Sequence, residues 1–264
     1  MDILQARVAL RDRTLLDVVD LTVRFLARHA RPYARVGAIV LIPAFAATLF
    51  VATHAGWGWG WTCAFLLGAL AQTPFTVLAS RLVFEPVVRV RGVLGQSVRS
   101  VPRLLVIRAI ELLGLVLGTF FFVLPGVWLG VVFLFVSEVM VLEQASIGVA
   151  LSRMHRLVWG QLGDAMMAFL FLLSLHIIVV FVGDATGRAI LEELLEITAP
   201  PSLWEEKGSA LALASFWLFV PFGATCRFLL YLNVRTRTEG WDIQTRFVAI
   251  AARTTQTMAV EVGP

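Results

Sequence analysis

Residues 104–142 read LLVIRAIELLGLVLGTFFFVLPGVWLGVVFLFVSEVMVL, nearly 40 residues carrying only three charges, Arg108, Glu111 and Glu138. A helix needs about 20 mostly apolar residues to cross the hydrocarbon core of a bilayer, so this stretch is twice the length of one span. Near its middle stands Pro125-Gly126, where proline removes a backbone donor and glycine supplies turn flexibility. Read as a tight hairpin, the pair separates two spans, 104–124 and 126–142. Read as a kink, it leaves one overlong span and inverts the topology of everything after it.

The rest of the chain sets the context for that choice. Of its 264 residues 59% are hydrophobic, and the mean hydropathy is +0.84, far above a soluble domain. The expected fold is all-α, a polytopic membrane protein. Besides 104–124 and 126–142, spans are expected over 36–53, 61–80, 165–182 and 209–231, giving a membrane domain over 1–234 and a tail over 235–264. Cys63 and Cys226 both fall in apolar runs, so neither a disulfide framework nor a metal site is expected.

Charge decides between hairpin and kink, because Lys and Arg in short loops are retained on the cytoplasmic side. With six spans, the N-terminus, 81–103, 143–164 and the tail hold 18 Arg against 10 acids, whereas the three other loops hold Arg188 and Lys207 against six acids. The hairpin therefore gives six spans in three hairpins, with both ends in the cytoplasm of a bacterium and the spans in its inner membrane. No signal-peptide pattern precedes the first span. Trp57, Trp59, Trp61, Trp204 and Trp241 fall near the expected membrane edges, where indoles prefer to sit; the cluster GWGWGW is alternatively a ligand platform.

An Arg-bearing amphipathic segment precedes each hairpin, which suggests a threefold repeat. The first sets Leu15, Val18, Val19, Phe25 and Leu26 on one face and Asp17, Asp20, Arg24, Arg28 and Arg31 on another, with Thr14 and Asp17 as an N-terminal cap. The second has Val87, Val90, Leu94, Val98, Val101 and Leu105 as its stripe, with Arg89, Arg99 and Arg103 elsewhere. The third runs through Ile147, Leu151, Met154, Val158 and Leu162, with Arg153 and Arg156 on the wet side. Such helices lie in the inner leaflet with arginines on lipid phosphate, or pack on the cytosolic ends of the spans. Arg24, Arg28, Arg89, Arg99, Arg103, Arg153 and Arg156 are the candidate phosphate contacts.

Charges inside spans face the bundle interior or a wet cavity, because each costs about 2.5–3.5 kcal/mol to insert. Arg108 and Glu111 are three residues apart and can pair; Glu138 and Arg227 form the second expected pair. Two roles are open to this cluster: ion-pair glue, or a polar cavity open to the cytosol. His176, alone in the fifth span, is expected to bond a neighbour. No P-loop, GxSxG or HExxH motif occurs, so no enzyme activity and no cofactor are expected. The arginines lack the interleaved aromatics of a nucleic-acid face, which leaves anionic lipid, and a protein partner on the cytosolic side, as the expected partners.

The segment Leu124–Gln161, with Pro125, Gly126, Glu143, Ala150, Leu151, Arg153 and Gly160, and the segment YLNVRTRTEGWD, with Tyr231, Arg235, Arg237, Glu239, Gly240 and Asp242, resemble the membrane domain joined to some glycerophosphodiester phosphodiesterases and its stand-alone bacterial relatives. Asn233 stands where that family has Asp. The resemblance implies a six-span fold and a membrane location; the catalytic barrel has no counterpart here. In the tail, Arg235 and Arg237 are expected to anchor the last span, and Glu239, Gly240 and Asp242 to complete a cytosolic latch by pairing with arginines of the amphipathic helices. The functional expectation is a lipid-interacting scaffold or accessory subunit, with a transporter or lipid-handling permease using the charge cluster as the alternative.

Overall fold

The computed structural model describes residues 13–85, 87–121, 123–144 and 146–239, all helical or connecting, with no β-strand among them. The chain begins with α1 (Leu15–Arg28), opened by a capping box in which the Asp17 amide donates to Thr14 Oγ1 at 3.3 Å and the Thr14 amide to Asp17 Oδ2 at 3.2 Å. A bend at His29 leads into α2 (Ala30–Ala55), and a single residue, Gly56, turns the chain into α3 (Trp57–Phe84). Gly56 has φ +95°, a backbone conformation that side-chain-bearing residues rarely adopt. Four residues later, a Cβ on Gly60 would lie 2.5 Å from the Cβ of Ala52, so the missing side chain lets the two helices close directly above the turn.

The second unit is α4 (Val90–Phe121), α5 (Val123–Val132) and α6 (Val136–Leu142). Contacts across it are nested about residue 122. A Cβ on Gly118 would stand 3.1 Å from the Gly126 nitrogen, one on Gly114 3.4 Å from Leu129, and Arg108 Nη2 reaches Ser137 Oγ at 2.6 Å. Two residues eight apart in a straight helix would be about 12 Å apart, so the chain reverses here. The reversal falls between α4 and α5, ahead of Pro125, which together with Gly126 lies inside α5. Gly114 and Gly118, one turn apart, form the small-residue face against which α5 closes.

The second amphipathic segment departs from its expected form. It is not a separate interfacial helix: α4 runs unbroken from Val90 into the apolar stretch, because nothing between 90 and 104 forces a stop and Pro102 is absorbed within the helix. Its expected stripe is also not its buried face. Val93, Ser97, Leu104 and Ile107 are buried, whereas Val87, Val98 and Leu105 are more than half exposed. In α1 the expected stripe does pack inward, through Val18 and Phe25, and in α7 (Ile147–Trp159) through Met154 and Val158.

The third unit is α8 (Leu162–Ala189), a π-helical turn over Ile190–Leu194, the short α9 (Leu203–Glu206) and α10 (Ala210–Glu239). Asp184 and Arg188 belong to α8, not to a loop. Buried Asp184 turns Oδ2 to the Leu203 amide at 3.2 Å, tying α9 back to α8. Ser202 and Glu205 form a second capping box, and the Ser202 backbone bond holds the Glu205 carboxyl below its ordinary range. Trp57 Nε1 donates to Glu206 and Trp61 Nε1 to the Lys207 carbonyl, so two of the three clustered indoles clasp this loop, while Trp59 is exposed.

Five helical stretches among the described residues are long and apolar enough to cross a membrane: Ala30–Ala55, Trp57–Phe84, Leu124–Leu142, Leu162–Leu194 and Ala210–Thr238. Residues 124–142, α3 and α10 bury most of their apolar surface within the protein, and α2 and α8 leave most of theirs outward. An apolar outer surface on a multi-helix bundle is the mark of a multi-pass membrane protein.

Candidate functional site

Both described ends of the chain lie at the same end of the bundle, and nearly all of the polar chemistry gathers there. The deepest layer is the charge cluster. Arg108 Nη1 meets Glu111 Oε2 at 2.5 Å, and Arg227 Nε meets Glu138 Oε1 at 3.1 Å. The two pairs are joined through neighbouring residues of α6: Ser137 accepts from Arg108 on α4 while Glu138, fully buried, accepts from Arg227 on α10. Successive residues of a helix point about 100° apart, so α6 is pinned to a different helix by each. Arg108 Nε, Glu138 Oε2 and Arg227 Nη2 are buried without a hydrogen-bond partner among the described residues.

One turn further out lies a network centred on Glu143, the residue that ends α6. Its carboxylate receives the Tyr231 hydroxyl, Arg235 Nη1 at 3.3 Å and Arg153 Nη1 at 2.9 Å. Arg235 also reaches the Tyr231 oxygen at 3.2 Å, and its guanidinium stands 6.0 Å from the Tyr231 ring centroid. Tyr231 and Arg235 are one turn apart, so one face of α10 meets the α6–α7 corner. Gln144, in the left-handed conformation at φ +51°, makes that corner.

The next face of α10, again with a four-residue step, holds Asn233 and Arg237. Asn233 Oδ1 accepts from the Arg13 amide and Nδ2 donates to the Arg13 carbonyl, each at 3.0 Å. Arg237 meets Asp164 Oδ2 at 2.5 Å and donates to the Arg13 carbonyl at 3.0 Å. Asn233 is thus an amide clamp on the start of the chain, a task Asp cannot complete because it has no donor. Asn233→Asp should lose one hydrogen bond, about 1–2 kcal/mol, read as faster amide exchange at Arg13 and the first turn of α1 with α3 unchanged.

Of the expected latch, the described residues include the side chains of Arg235 and Arg237. Arg235 and Arg237 do not merely anchor the helix; they pair with acids of the α6–α8 region. Gly240 and Asp242 lie outside the described residues, as does the side chain of Glu239. Arg153 serves the Glu143 network and Arg24 pairs with Asp20 at 2.9 Å, so each of these two has an acidic neighbour. Arg28, Arg89, Arg99, Arg103 and Arg156 are exposed and have no side-chain partner among the described residues.

A cleft of about 770 Å³ opens between the end of α3 and the first turns of α4, and it is lined by Arg81, Arg91, Arg99 and Arg103. A second, about 600 Å³, adjoins it and adds Arg89 and Glu85. Arg81 and Arg91 were not expected here. Their signal was Gly92 and Gly95, which look like helix weakening in the sequence and are the floor of a cleft in the fold. His176 stacks on Phe216 and Phe219, with ring centroids 4.7 and 4.5 Å away, and no group of three metal-ligating side chains exists among the described residues.

Comparison with known proteins returned no matching family model, no matching curated protein and no matching solved structure.

Proposed function

We propose that this chain is a non-enzymatic protein of the bacterial inner membrane that holds anionic lipid at the cytosolic face, as a scaffold or accessory subunit of a membrane system. The observation that carries the reading is the first half of α4. Exposed Val98 and Leu105 share it with Arg99 and Arg103, which have no protein counter-charge. A helix of that composition beside membrane spans suits a surface of lipid tails and phosphates.

Orientation follows from charge. Arg13, Arg153, Arg235 and Arg237 gather at one end, while Glu205, Glu206 and Lys207 lie with Trp57 and Trp61 at the other; on the positive-inside rule the arginine end is cytosolic. The sixth span is residues 104–121 of α4, paired with 124–142 across the reversal. Three units, each a helix or helical segment followed by a hairpin, support the threefold repeat, with the interfacial segment fused to its span in the second. The resemblance to a phosphodiesterase-linked membrane domain agrees with a membrane role.

The test is the lipid that accompanies the full chain. Lipid co-purified in neutral detergent should be enriched in anionic species over the source membrane, and anionic nanodiscs should raise the melting temperature above that in neutral ones. Equal composition and equal melting would overturn the reading. A permease is the second reading, favoured by the three orphaned polar atoms of the charge cluster, Arg108 Nε, Glu138 Oε2 and Arg227 Nη2.

A further inference from the structure

The side of α4 turned toward α3 is built differently from its lipid-facing side. Gly92, Gln96, Arg99 and Arg103 recur at three- and four-residue intervals and so share one face. A Cβ on Gly95 would meet nothing within 4 Å, and one on Gly92 would lie 2.9 Å from Arg81 Nη1. Gly92 thus leaves room for the Arg81 guanidinium, and the Gly95 position faces open space.

Arg81 is held in place. Its Nε and Nη2 both donate to Gln96 Oε1, at 3.3 and 2.9 Å, which leaves Nη1 turned toward Gly92 with no hydrogen-bond partner among the described residues. Arg91, Arg99 and Arg103 line the same cleft, also without partners, and no acidic side chain lines it. The nearest is Glu85 in the adjoining cleft, 3.8 Å from Arg81 Nε. A concave surface of one sign concentrates counter-ions, and the guanidinium fork matches phosphate oxygens in pairs.

The face does not end at Arg103. Continuing the same step, Val106, Ile110, Leu113 and Leu117 follow, all exposed. A ligand seated in the cleft therefore has an apolar track leading away from it along the helix.

We propose that this cleft is a stoichiometric site for a lipid whose headgroup carries two phosphates, bound by Arg81, Arg91, Arg99 and Arg103 with its chains along Val106 and Ile110. The proposal rests on the anionic-lipid reading above and sharpens it from a surface to a site. Three guanidiniums spread over about 18 Å of α4, from Arg91 to Arg103, and with Arg81 beside them on α3 the four exceed what one phosphate can engage and suit two. Basic pockets at the cytoplasmic ends of spans take headgroups of this kind, and about 770 Å³ is an ordinary volume for a ligand site.

The experiment is titration of the full chain in neutral detergent with diphosphatidylglycerol or phosphatidylglycerol at equal phosphate, followed by native mass spectrometry. One diphosphatidylglycerol should be retained per protein, about tenfold more tightly than the single-phosphate lipid. Arg99→Gln with Arg103→Gln should weaken it by about tenfold or more. Gly92→Ala should weaken it several-fold by displacing Arg81, with elution and helix content unchanged. Lys207→Gln, at the opposite end of the bundle, should have no effect.

Equal affinity for the two lipids would overturn the site and leave the anionic-lipid reading standing; indifference to lipid charge altogether would overturn both. Inorganic pyrophosphate is the second arm. Displacement of the lipid by pyrophosphate only at far higher concentration supports a lipid ligand. Displacement at the same micromolar level would overturn the lipid and assign the site to a soluble diphosphate.

Discussion

Arg227→Leu should cost about 3–5 kcal/mol of folding stability, because it leaves Glu138 buried without its counter-charge. The carboxylate is fully buried and Arg227 is the ion-pair partner described for it, so the loss should appear as a melting temperature several degrees lower in detergent and a smaller monodisperse fraction. Glu138→Leu combined with Arg227→Leu should recover most of the loss, since a buried pair replaced by apolar groups is often neutral. That recovery would identify the pair as glue between α6 and α10. The permease reading makes the opposite claim: normal folded yield in Arg227→Leu, with transport abolished. The two outcomes exclude one another, and the double-variant cycle separates them.

The second large effect is expected at Glu143. Glu143→Ala removes the acceptor shared by Tyr231, Arg153 and Arg235 and leaves two half-buried guanidiniums facing each other, a loss again of about 3–5 kcal/mol. Trypsin should then cut after Arg235 and Arg237, sites protected while α10 is docked, well before it cuts within the spans. Glu143→Gln keeps an acceptor for the tyrosine but not the charge and should fall between the two. Unchanged cleavage in Glu143→Ala would show that apolar packing of α10 alone holds this end.

How much of this was legible in the sequence varies by interaction range. The Thr14–Asp17 cap, the Arg108–Glu111 pair and the inward stripes of α1 and α7 are local, set by three- and four-residue spacing, and they stand as read. Glu138–Arg227 was legible for a different reason: two opposite charges in apolar surroundings have few alternatives but each other. Length and flanking charge pointed to a chain reversal within 104–142, yet it falls between α4 and α5, ahead of Pro125, because close approach of Gly114 and Gly118 to α5 governs where the chain folds back and Pro125 needs only to be tolerated in an early turn.

What was not legible depends on which helix lies alongside. The stripe Val87–Leu105 is as regular as that of α7, but α3 packs against the Val93–Leu104 side instead, and hydrophobic periodicity does not say which of two candidate faces will find a partner. Asn233 looked like a weakened acid and is a two-way amide clamp. Its role exists only because Arg13, more than two hundred residues away, presents both of its backbone groups to it.

That last contact has a consequence for how the molecule is made. Helix α1 leaves the ribosome well before its packing partner α10. Until residues 231–237 emerge, Arg13 has no clamp, and Glu143 and Asp164 lack the arginines of α10. The final turns of the last span therefore complete three polar contacts together, to Arg13, Glu143 and Asp164. A chain that stops short of Tyr231 keeps its greasy helices but leaves that end open, a visible mark of incomplete synthesis that membrane proteases can read.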